Sequence, residues 1–336
     1  MPAPRRGSPL LVILRALGLG DFLTAVPAYR ALARRYPDHR RVLAAPSSLE
    51  PLARLTGAIH AVVPTQPLAP LSDLLRPTDV GVNLHGRGPQ SHRALLASGP
   101  RRFISFANSS IPESQGMPPW RQGEHEVDRW CRLLNEIAIP ACPTELGLAL
   151  PQSAFVADAI GATLIHPGAA SGSRCWPVER WVAVARRERR AGRRVILTGS
   201  PSEVERSRRV AQGSGLSETA IFAGKTDLMS LAALVATADT VICGDTGVAH
   251  LATAFGTPSI VLFGPSSPHE WGPPPLRRRH RVLWSGRTGD PHAVSCDEGL
   301  LSIQPRDVAA ALEALRADDF PARGAHPKLA STTAAL

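Results

Sequence analysis

The stretch Ile242-Cys243-Gly244-Asp245-Thr246-Gly247-Val248-Ala249-His250 decides the fold class of this chain. The apolar run Thr240–Cys243 predicts a buried strand that leads directly into a small acidic turn. The apolar residues that follow recur at helical spacing: Val248, Leu251, Ala252 and Phe255. We expect Asp245 to cap this helix, so that the free N–H groups of residues 246–248 face the end of a parallel sheet.

A helix start of this kind carries partial positive charge and binds phosphate. The segment therefore indicates a phosphate site on an α/β sheet, to which Thr246 and His250 add donors. Asp-Thr-Gly is also the nucleophile turn of aspartic proteases, but that class is all-β, and the helix after the motif argues against it. A plain strand–helix turn without a ligand stays open at this point.

Composition and length bound the class of protein. The 336 residues are enough for two domains, and 43% hydrophobic content is typical of a soluble globular protein. No apolar run approaches the roughly 20 residues of a membrane span. The basic start Met1–Ser8 and the apolar run Leu10–Leu14 resemble a signal peptide. The run stops at Arg15 without a cleavage site, which favours a first core strand and a cytoplasmic protein.

Cysteine usage and charge narrow the options further. The five cysteines are odd in number and never spaced Cys-x-x-Cys, which argues against a disulfide framework and against a zinc site. The net charge is +10, and arginine supplies nearly all the basic residues. This charge suits phosphorylated substrates, an anionic membrane surface or nucleic acid, or it reflects a GC-rich genome. Aromatic residues are 5% and show no base-stacking pattern, so nucleic acid is the least favoured partner.

Strand and helix signals alternate along the whole chain, which predicts parallel sheets covered by helices. We expect one domain over residues 1–150, a second over 151–317 and a disordered tail over 318–336. Predicted strands of the first half are Leu10–Leu14, Arg41–Ala45, Ala58–Val63, Asp79–Asn83 and Arg102–Phe106. Predicted helices there are Phe22–Arg35, Gln90–Ser98 and Glu124–Ile139.

The second half repeats the alternation. Its predicted strands are Thr163–His166, Arg194–Thr198, Thr240–Cys243 and Ser259–Phe263. Its predicted helices are Val178–Arg190, Ser202–Ala211, Leu228–Ala236 and a last helix, Ser302–Ala317, expected to lie back across the first domain. Each half opens with a strand and a glycine-bearing turn, so we predict two Rossmann-like halves that face each other across a ligand cleft.

The first turn, Gly18-Leu19-Gly20-Asp21, carries a carboxylate at the tip of the first strand. A dinucleotide fingerprint needs a third glycine where Leu23 stands, which argues against nicotinamide or flavin. Asp21 is then either a carboxylate that faces the cleft or a simple helix cap, and both interpretations stay open. Pro27 inside the following helix breaks the propensity rule, as residues near functional sites do more often.

The second half offers the groups of a nucleoside-diphosphate site. Arg174 has a forked donor face suited to a diphosphate, and the helix start at Thr246 and Gly247 offers a seat for an anion. Glu203 follows a strand–turn and either compensates a helix dipole or accepts hydrogen bonds from ribose hydroxyls. The first half adds Asp21 and the polar loop 83–88. A nucleotide-sugar donor opposite a general base indicates glycosyl transfer.

These pieces resemble the family 9 glycosyltransferases, the group that contains the lipopolysaccharide heptosyltransferases. The matching motifs are Leu19-Gly20-Asp21 with Pro27, His166-Pro167-Gly168-Ala169, Arg174 with Trp176-Pro177, Thr198-Gly199 with Glu203, Gly224-Lys225-Thr226, Asp245-Thr246-Gly247 with His250, and Phe263-Gly264-Pro265. They occur in the order of the family and span roughly residues 10 to 275.

The resemblance implies a GT-B fold, an inverting mechanism, no catalytic metal and no cofactor beyond the nucleotide-sugar substrate. It implies that Asp21 is the general base and that Arg174 and the helix start after Asp245 stabilise the leaving diphosphate. It also implies His250 beside the diphosphate, Glu203 near the ribose and the Thr226 backbone near the base. We assign Gly20, His85 and Arg87 to the acceptor side.

Two departures leave the sugar open. The heptosyltransferases usually have lysine where Arg174 stands and often histidine where Thr24 stands. The expected activity is therefore transfer of a sugar, with heptose as one option, to a glycan, lipid-linked or natural-product acceptor. We expect a cytoplasmic protein, with peripheral binding to an anionic membrane as an option. The alternatives are a non-catalytic nucleotide-sugar-binding relative and a GT-B-shaped nucleotide-sugar epimerase.

Overall fold

The computed structural model describes residues 7–151, 159–275 and 277–318. Its first half is built on a five-stranded parallel sheet in the order β3-β2-β1-β4-β5. The strands are β1 (Leu10–Leu14), β2 (Arg40–Ala45), β3 (Ala61–Pro64), β4 (Val80–Asn83) and β5 (Arg102–Ile104). All five match a predicted strand. The largest shift is in β3, which begins later than predicted because the Ala58 N–H and carbonyl bond to the side chains of Thr56 and Arg41 and not to a neighbouring strand.

The helices of the first half are α1 (Leu19–Thr24), α2 (Val26–Arg35), α3 (Glu50–Leu55), α4 (Gln90–Leu96) and α5 (Glu126–Asn135). The single helix predicted over Phe22–Arg35 is wrong, because the chain breaks at Ala25 between α1 and α2. Pro27 therefore occupies the first turn of α2, where the missing N–H has no intrahelical partner to lose. Pro27 therefore follows the usual helix preferences, and the expectation that it breaks them is wrong.

The second half contains another five-stranded parallel sheet, in the order β10-β9-β8-β6-β7. Its strands are β6 (Thr163–His166), β7 (Val195–Leu197), β8 (Thr240–Gly244), β9 (Ser259–Leu262) and β10 (His280–Leu283). Its helices are α6 (Val178–Arg190), α7 (Val204–Ser214), α8 (Leu228–Thr237), α9 (Gly247–Phe255), α10 (Pro268–Trp271), α11 (Glu298–Ser302) and α12 (Pro305–Ala317).

The two sheets share one topology. A parallel bridge between Leu197 and Ile221 adds a short third element outside β7, so each half places its first strand between its second and fourth. The strand order reverses between β1 and β4 in one sheet and between β6 and β8 in the other. Ligands bind outside the carboxyl ends of strands at such switch points, and every candidate site residue follows one of these strands or a neighbour.

The closing segment differs from the prediction. The helix expected over Ser302–Ala317 is two helices, α11 and α12, and Gln304 with Pro305 starts the second. Helix α12 packs on α6, β9 and β10 rather than across the first half. The expectation that it lies back over the first domain is wrong, because its apolar residues join the core of the second half and Arg316 pairs with Glu188 of α6.

The two halves share a continuous apolar core. Phe22 and Leu23 of α1 belong to the same buried cluster as Val248 and Leu251 of α9. Polar contacts reinforce the junction: the Arg277 guanidinium donates to the Thr144 carbonyl at 3.0 Å, and His125 Nε2 donates to the Gly272 carbonyl at 2.9 Å. The helices that carry the candidate site are therefore held in a fixed relation.

Other features concern the chain as a whole. All five cysteines are free thiols, as their odd and scattered pattern predicts. Within the described ranges, every helix is too short or too polar to cross a lipid bilayer. The domain boundary near residue 150 adjoins residues 152–158, which lie outside the described residues, and it stays a prediction. The predicted disordered tail lies outside them too from residue 319 onward.

Candidate functional site

The start of α9 is the centre of the candidate site. Thr246 is the N-cap residue, in extended backbone conformation, and no side chain caps the helix. The predicted cap by Asp245 is wrong: its N–H donates to the Leu262 carbonyl at 3.1 Å, and its carboxylate faces Arg174. The amides of Gly247 and Val248 lie in the first turn, where helical geometry gives them no intrahelical acceptor.

The Thr246 hydroxyl adds a polar group at this helix start. Its oxygen is buried without a hydrogen-bond partner of ordinary geometry in the described ranges. Its neighbour is the thiol of Cys243. Burial and the Asp245 charge raise the pKa of this thiol, and the contact with Thr246 opposes only part of that rise. A thiol is a weak partner, so the hydroxyl is available to a stronger acceptor.

Arg174 brings a positive charge to the same point. It ends a short 3₁₀ turn, Gly172–Arg174, after β6. Its Nη1 donates to the Asp245 carbonyl at 3.3 Å and lies 3.9 Å from the Asp245 carboxylate, and its Nε donates to the Ser171 hydroxyl at 3.3 Å. The side chain keeps 23% of its surface exposed. We call Arg174, Thr246 and the amides of Gly247 and Val248 the anion site.

The segment 284–297 fixes the turn that carries Arg174. The Ser173 N–H donates to the Ala293 carbonyl at 2.9 Å, and the Ser171 hydroxyl donates to the Pro291 carbonyl at 2.6 Å. A Cβ built on Gly172 would lie 1.6 Å from the Val294 carbonyl oxygen, so only glycine fits there. The sequence analysis missed this segment because no local pattern links residues more than a hundred positions apart.

Glu203 lies near the end of β6, in the first turn of a short 3₁₀ helix, and is the N-cap residue of α7. It closes the 3₁₀ turn Pro201–Glu203 before α7, and its Oε2 accepts the Ser200 N–H at 2.7 Å. A Cβ on Gly168 would lie 1.9 Å from Glu203 Oε1, so the carboxylate rests on the turn after β6. Burial lowers the pKa of nearby His166, and the Glu203 charge opposes this effect.

Thr226 lies in the loop between Ile221 and α8. The Gly224 N–H in this loop donates to the Gly199 carbonyl at 3.0 Å, which ties the loop to the turn that carries Glu203. Asp227 caps α8 by accepting the Ser230 N–H at 2.7 Å. The structure therefore brings Thr226 to the Glu203 side of the second half, next to the loop after β7.

Asp21 stands at the end of β1, on the opposite side of the cleft. It is the third residue of α1, whose N-cap is Gly18, so the interpretation of Asp21 as a simple cap is wrong. Its Oδ1 lies 3.6 Å from Arg15 Nη2, and the carboxyl keeps 29% of its surface exposed. Burial raises the pKa of Asp21, Arg15 opposes this effect, and the charge of Glu126 adds to it.

Gly20 and His250 join the two sides. A Cβ on Gly20 would lie 3.0 Å from His250 Cδ2, so the structure places this acceptor-side candidate against a donor-side candidate. His250 also meets Trp271 edge-on, with ring centroids 6.4 Å apart. Burial lowers the pKa of His250, whereas the Asp245 charge raises it. Asp21 therefore directly follows a residue, Gly20, that contacts α9, the helix whose first turn forms part of the anion site.

The loop after β4 supplies the other acceptor-side candidates. His85 Nδ1 accepts the Ala16 N–H at 3.2 Å, and the backbone N–H of His85 donates to Asn83 Oδ1 at 2.9 Å. Burial and the Arg15 charge lower the pKa of His85, and the Asp21 charge raises it, so His85 lies within electrostatic reach of Asp21. Arg87 is exposed further along the loop, where its carbonyl accepts from Asn108 Nδ2 at 2.9 Å.

Two buried charged residues behind Asp21 were missed by the sequence analysis. The Arg15 side chain has no exposed surface and donates to Glu126 Oε1 at 3.1 Å. One signal was present, an arginine directly after the apolar run of β1. Among residues 7–151, 159–275 and 277–318, no group of three or more His, Cys, Asp or Glu side chains is arranged to hold a metal ion.

Comparison with known proteins identifies a family and several relatives that this chain resembles. A family model described as glycosyltransferase family 9 (heptosyltransferase) matches residues 108–299, more than half of the chain. Lipopolysaccharide heptosyltransferase 2 of Escherichia coli (strain K12) is 24% identical over 354 aligned residues, which cover 91% of this chain and 98% of that protein.

Solved structures agree on the fold. That of E. coli ADP-heptose LPS heptosyltransferase II has a TM-score of 0.73 at 20% identity and covers 91% of this chain and 98% of its own. That of E. coli heptosyltransferase WaaC with ADP-2-deoxy-2-fluoro heptose has a TM-score of 0.67 at 19% identity and covers 90% and 99%. The predicted GT-B fold is confirmed. The chain belongs to glycosyltransferase family 9 and is a glycosyltransferase that resembles the lipopolysaccharide heptosyltransferases.

Proposed function

We propose that this glycosyltransferase is an inverting, metal-independent enzyme that moves a sugar from a nucleoside-diphosphate donor to an acceptor hydroxyl. One observation carries the proposal: α1, which presents Asp21, packs directly on the start of α9, where the anion site lies. A carboxylate on one half and a cationic diphosphate site on the other are the two parts that such a transfer needs.

The donor is held by the second half. Arg174 and the α9 amides bind the diphosphate, and His250 lies beside it. Glu203 accepts hydrogen bonds from the ribose, and the backbone at Thr226 contacts the base. The names of the compared proteins include ADP-heptose and an ADP-heptose analogue, so an ADP-sugar with a heptosyl group is the first donor to test.

The chemistry is a single displacement. Asp21 takes the proton of the acceptor hydroxyl, and the oxygen forms a bond to the anomeric carbon as the bond to the diphosphate oxygen breaks. Attack from the side opposite the leaving group inverts the anomeric configuration. The proton ends on Asp21, and the charge of the leaving diphosphate is stabilised by Arg174 and the amides of Gly247 and Val248, in place of a metal ion.

The acceptor enters from the side of His85 and Arg87 and is a glycan, a lipid-linked sugar or a natural product with a free hydroxyl. The net charge of +10 favours an acceptor with anionic groups, including one carried at an anionic membrane surface. Neither a resident cofactor nor nucleic acid takes part in this scheme.

The decisive experiment compares Asp21→Asn with the wild type in two assays. Calorimetry with ADP measures donor-site binding, and a coupled assay of ADP release measures transfer. We expect unchanged ADP affinity and a loss of kcat by a factor of about 10² to 10⁴, since the base is lost but the anion site remains. The control is Asp38→Asn at an exposed carboxylate, with wild-type values for both. Transfer by Asp21→Asn at the native rate overturns the assignment.

Two further measurements test the remaining parts. NMR of the product reports the anomeric configuration, and retention would contradict a single displacement. If Arg174 and the start of α9 act in place of a metal ion, the transfer activity should be the same with and without excess chelator. Loss of activity that added Mg²⁺ restores would contradict metal independence.

A further inference from the structure

Arg15 connects three elements behind Asp21. It follows β1 and is fully buried. Its Nε donates to the Asp21 carbonyl at 2.5 Å, its Nη1 donates to the Leu84 carbonyl, and its Nη2 donates to Thr24 Oγ1 at 3.1 Å. One guanidinium therefore fixes the end of β4 and both ends of the α1 turn that carries Asp21.

Glu126 of α5 is the ion-pair partner that compensates for the loss of hydration of the buried Arg15 charge. Its Oε1 accepts from Arg15 Nη2 at 3.1 Å and from Trp130 Nε1 at 2.9 Å, and its Oε2 accepts from Arg129. The Arg15 guanidinium also stacks on the Trp130 ring, 4.8 Å from the centroid. A buried charge keeps its place only when it is paired and hydrogen-bonded in this way.

The two carboxylates around Arg15 differ in their contacts. Both oxygens of Glu126 are engaged by donors, and only 7% of its side-chain surface is exposed. Asp21 Oδ1 lies 3.6 Å from Arg15, beyond hydrogen-bond distance, and the carboxyl remains partly exposed. Arg15 thus faces Asp21 as a nearby charge without occupying the oxygens that would accept a proton.

We propose that Arg15 and Glu126 are positioning residues for Asp21: Arg15 fixes the turn that aims the carboxylate, and the Arg15–Glu126 pair sets the charge around it. This inference rests on the proposed role of Asp21 as general base. It adds to that role two residues that touch neither donor nor acceptor.

The charged and titratable groups around Asp21 come from each element packed against α1. They are Arg15 after β1, Tyr29 of α2, Glu126 and Arg129 of α5, His85 after β4 and His250 of α9. Burial raises the pKa of Tyr29 and lowers the pKa of both histidines, so these three are neutral near pH 7. Burial is the largest influence on Asp21 and raises its pKa; of the charged groups, Arg15 lowers this pKa and Glu126 raises it.

The test uses two conservative variants, chosen because the site is buried. In Glu126→Gln the negative charge is lost, so Asp21 should lose its proton more readily and the acid limb of the kcat–pH profile should move to lower pH. In Arg15→Lys the charge stays, but the forked donor set is lost. We expect its kcat to fall by about 10- to 100-fold because the carboxylate is misplaced, while the affinity for ADP stays at the wild-type value.

Asp128→Asn is the matched control, since it removes an exposed carboxylate from the same helix and should leave kcat and its pH profile unchanged. The inference is overturned if Glu126→Gln keeps the wild-type acid limb, or if Arg15→Lys keeps the wild-type kcat. If Asp21→Asn is inactive and either of these two results is found, only the positioning role is rejected. An active Asp21→Asn rejects the general base itself.

Discussion

Gly20 of α1 lies directly against His250 of α9: a Cβ on Gly20 would be 3.0 Å from His250 Cδ2. The same junction has a second tight point, since a Cβ on Gly247 would be 2.8 Å from Leu19 Cδ2. Each helix thus contributes one glycine that lets the other approach. The distance between Asp21 and the anion site is therefore set by helix packing and not by flexible side chains.

The first prediction concerns this contact. Gly20→Ala adds a methyl group that the half-buried His250 ring must accommodate, and overpacking of this kind costs about 1–3 kcal/mol of unfolding free energy. We expect kcat to fall as α1 moves away from α9. Gly147→Ala is the control, because its added Cβ would be 3.8 Å from the nearest atom. Denaturant unfolding and the ADP-release assay measure both effects, and wild-type values for Gly20→Ala would show that the close approach is unimportant.

Most of the fold could be predicted from local pattern. The bounds of β6 and α6 are those predicted, because apolar periodicity is strong there and Pro177 marks the helix entry. The break at Ala25 was missed because α1 and α2 form one continuous periodic run. No pattern indicated β10, a short edge strand that follows a run of arginines.

The candidate site divides in a similar way. Asp21, Arg174 and Thr246 could be found because each lies in the segment between a strand and the next helix or in its first turn, where parallel sheets place their ligands. The pairing of Arg15 with Glu126 could not be found, because the two are 111 positions apart and neither lies in a motif. The same holds for the segment 284–297 that fixes Arg174. Tertiary contacts of this kind leave no local signal.

The second prediction concerns Arg174. Arg174→Ala removes a partly exposed cation from the anion site, so we expect the Kd for ADP to rise by about 10- to 100-fold. The remaining affinity should depend less on ionic strength than in the wild type, because one charge contact with the diphosphate is gone. Arg190→Ala, at an exposed position on α6, makes the same charge change away from the site. Calorimetry at low and high salt checks this, and equal affinities for Arg174→Ala and wild type remove Arg174 from the site.

The third prediction is a pH dependence. Burial is the largest influence on Asp21 and raises its pKa, Arg15 opposes it, and the net shift is upward. A general base must be deprotonated, so kcat should fall as the pH drops through this raised pKa. The acid limb should therefore lie above the ordinary aspartate value of about 3.9. A kcat–pH profile measured where circular dichroism shows the native fold is the check. A limb at or below the ordinary value contradicts the burial effect.

The fourth prediction concerns Glu203. Its Oε1 lies over Gly168 and its Oε2 is held by the Ser200 amide, so the carboxylate is fixed at the carboxyl end of β6. Glu203→Ala should raise the KM for the donor by about tenfold or more through loss of charged hydrogen bonds to the ribose, with a smaller effect on kcat. Glu205→Ala, an exposed neighbour paired with Arg208, is the control. A Glu203→Ala enzyme with the native KM shows that the carboxylate does not touch the donor.

The fifth prediction concerns stability away from the site. Glu188 of α6 has no exposed side-chain surface and accepts from Arg316 Nη2 at 2.5 Å and from Thr163 Oγ1 at 2.8 Å. Burial alone would raise the pKa of Glu188, but these hydrogen bonds and the charges of Arg316 and Arg193 hold it below the ordinary value. Because the pKa is lower in the folded state, the pair stabilises the fold above the unfolded value of about 4.3, and this contribution is lost as the pH falls through the folded value.

Glu188→Ala should therefore lower the free energy of unfolding at pH 7 by about 3 kcal/mol, because it leaves Arg316 without its buried partner. The loss should shrink as the pH drops below 4, where the wild-type carboxylate becomes protonated too. Glu313→Ala is the control, since its ion pair with Arg187 is exposed and such pairs contribute little. Urea unfolding of both variants at several pH values measures the difference. Equal stability of Glu188→Ala and wild type at pH 7 would mean that the buried pair only offsets its own desolvation and that α12 is held on the second sheet by apolar packing alone.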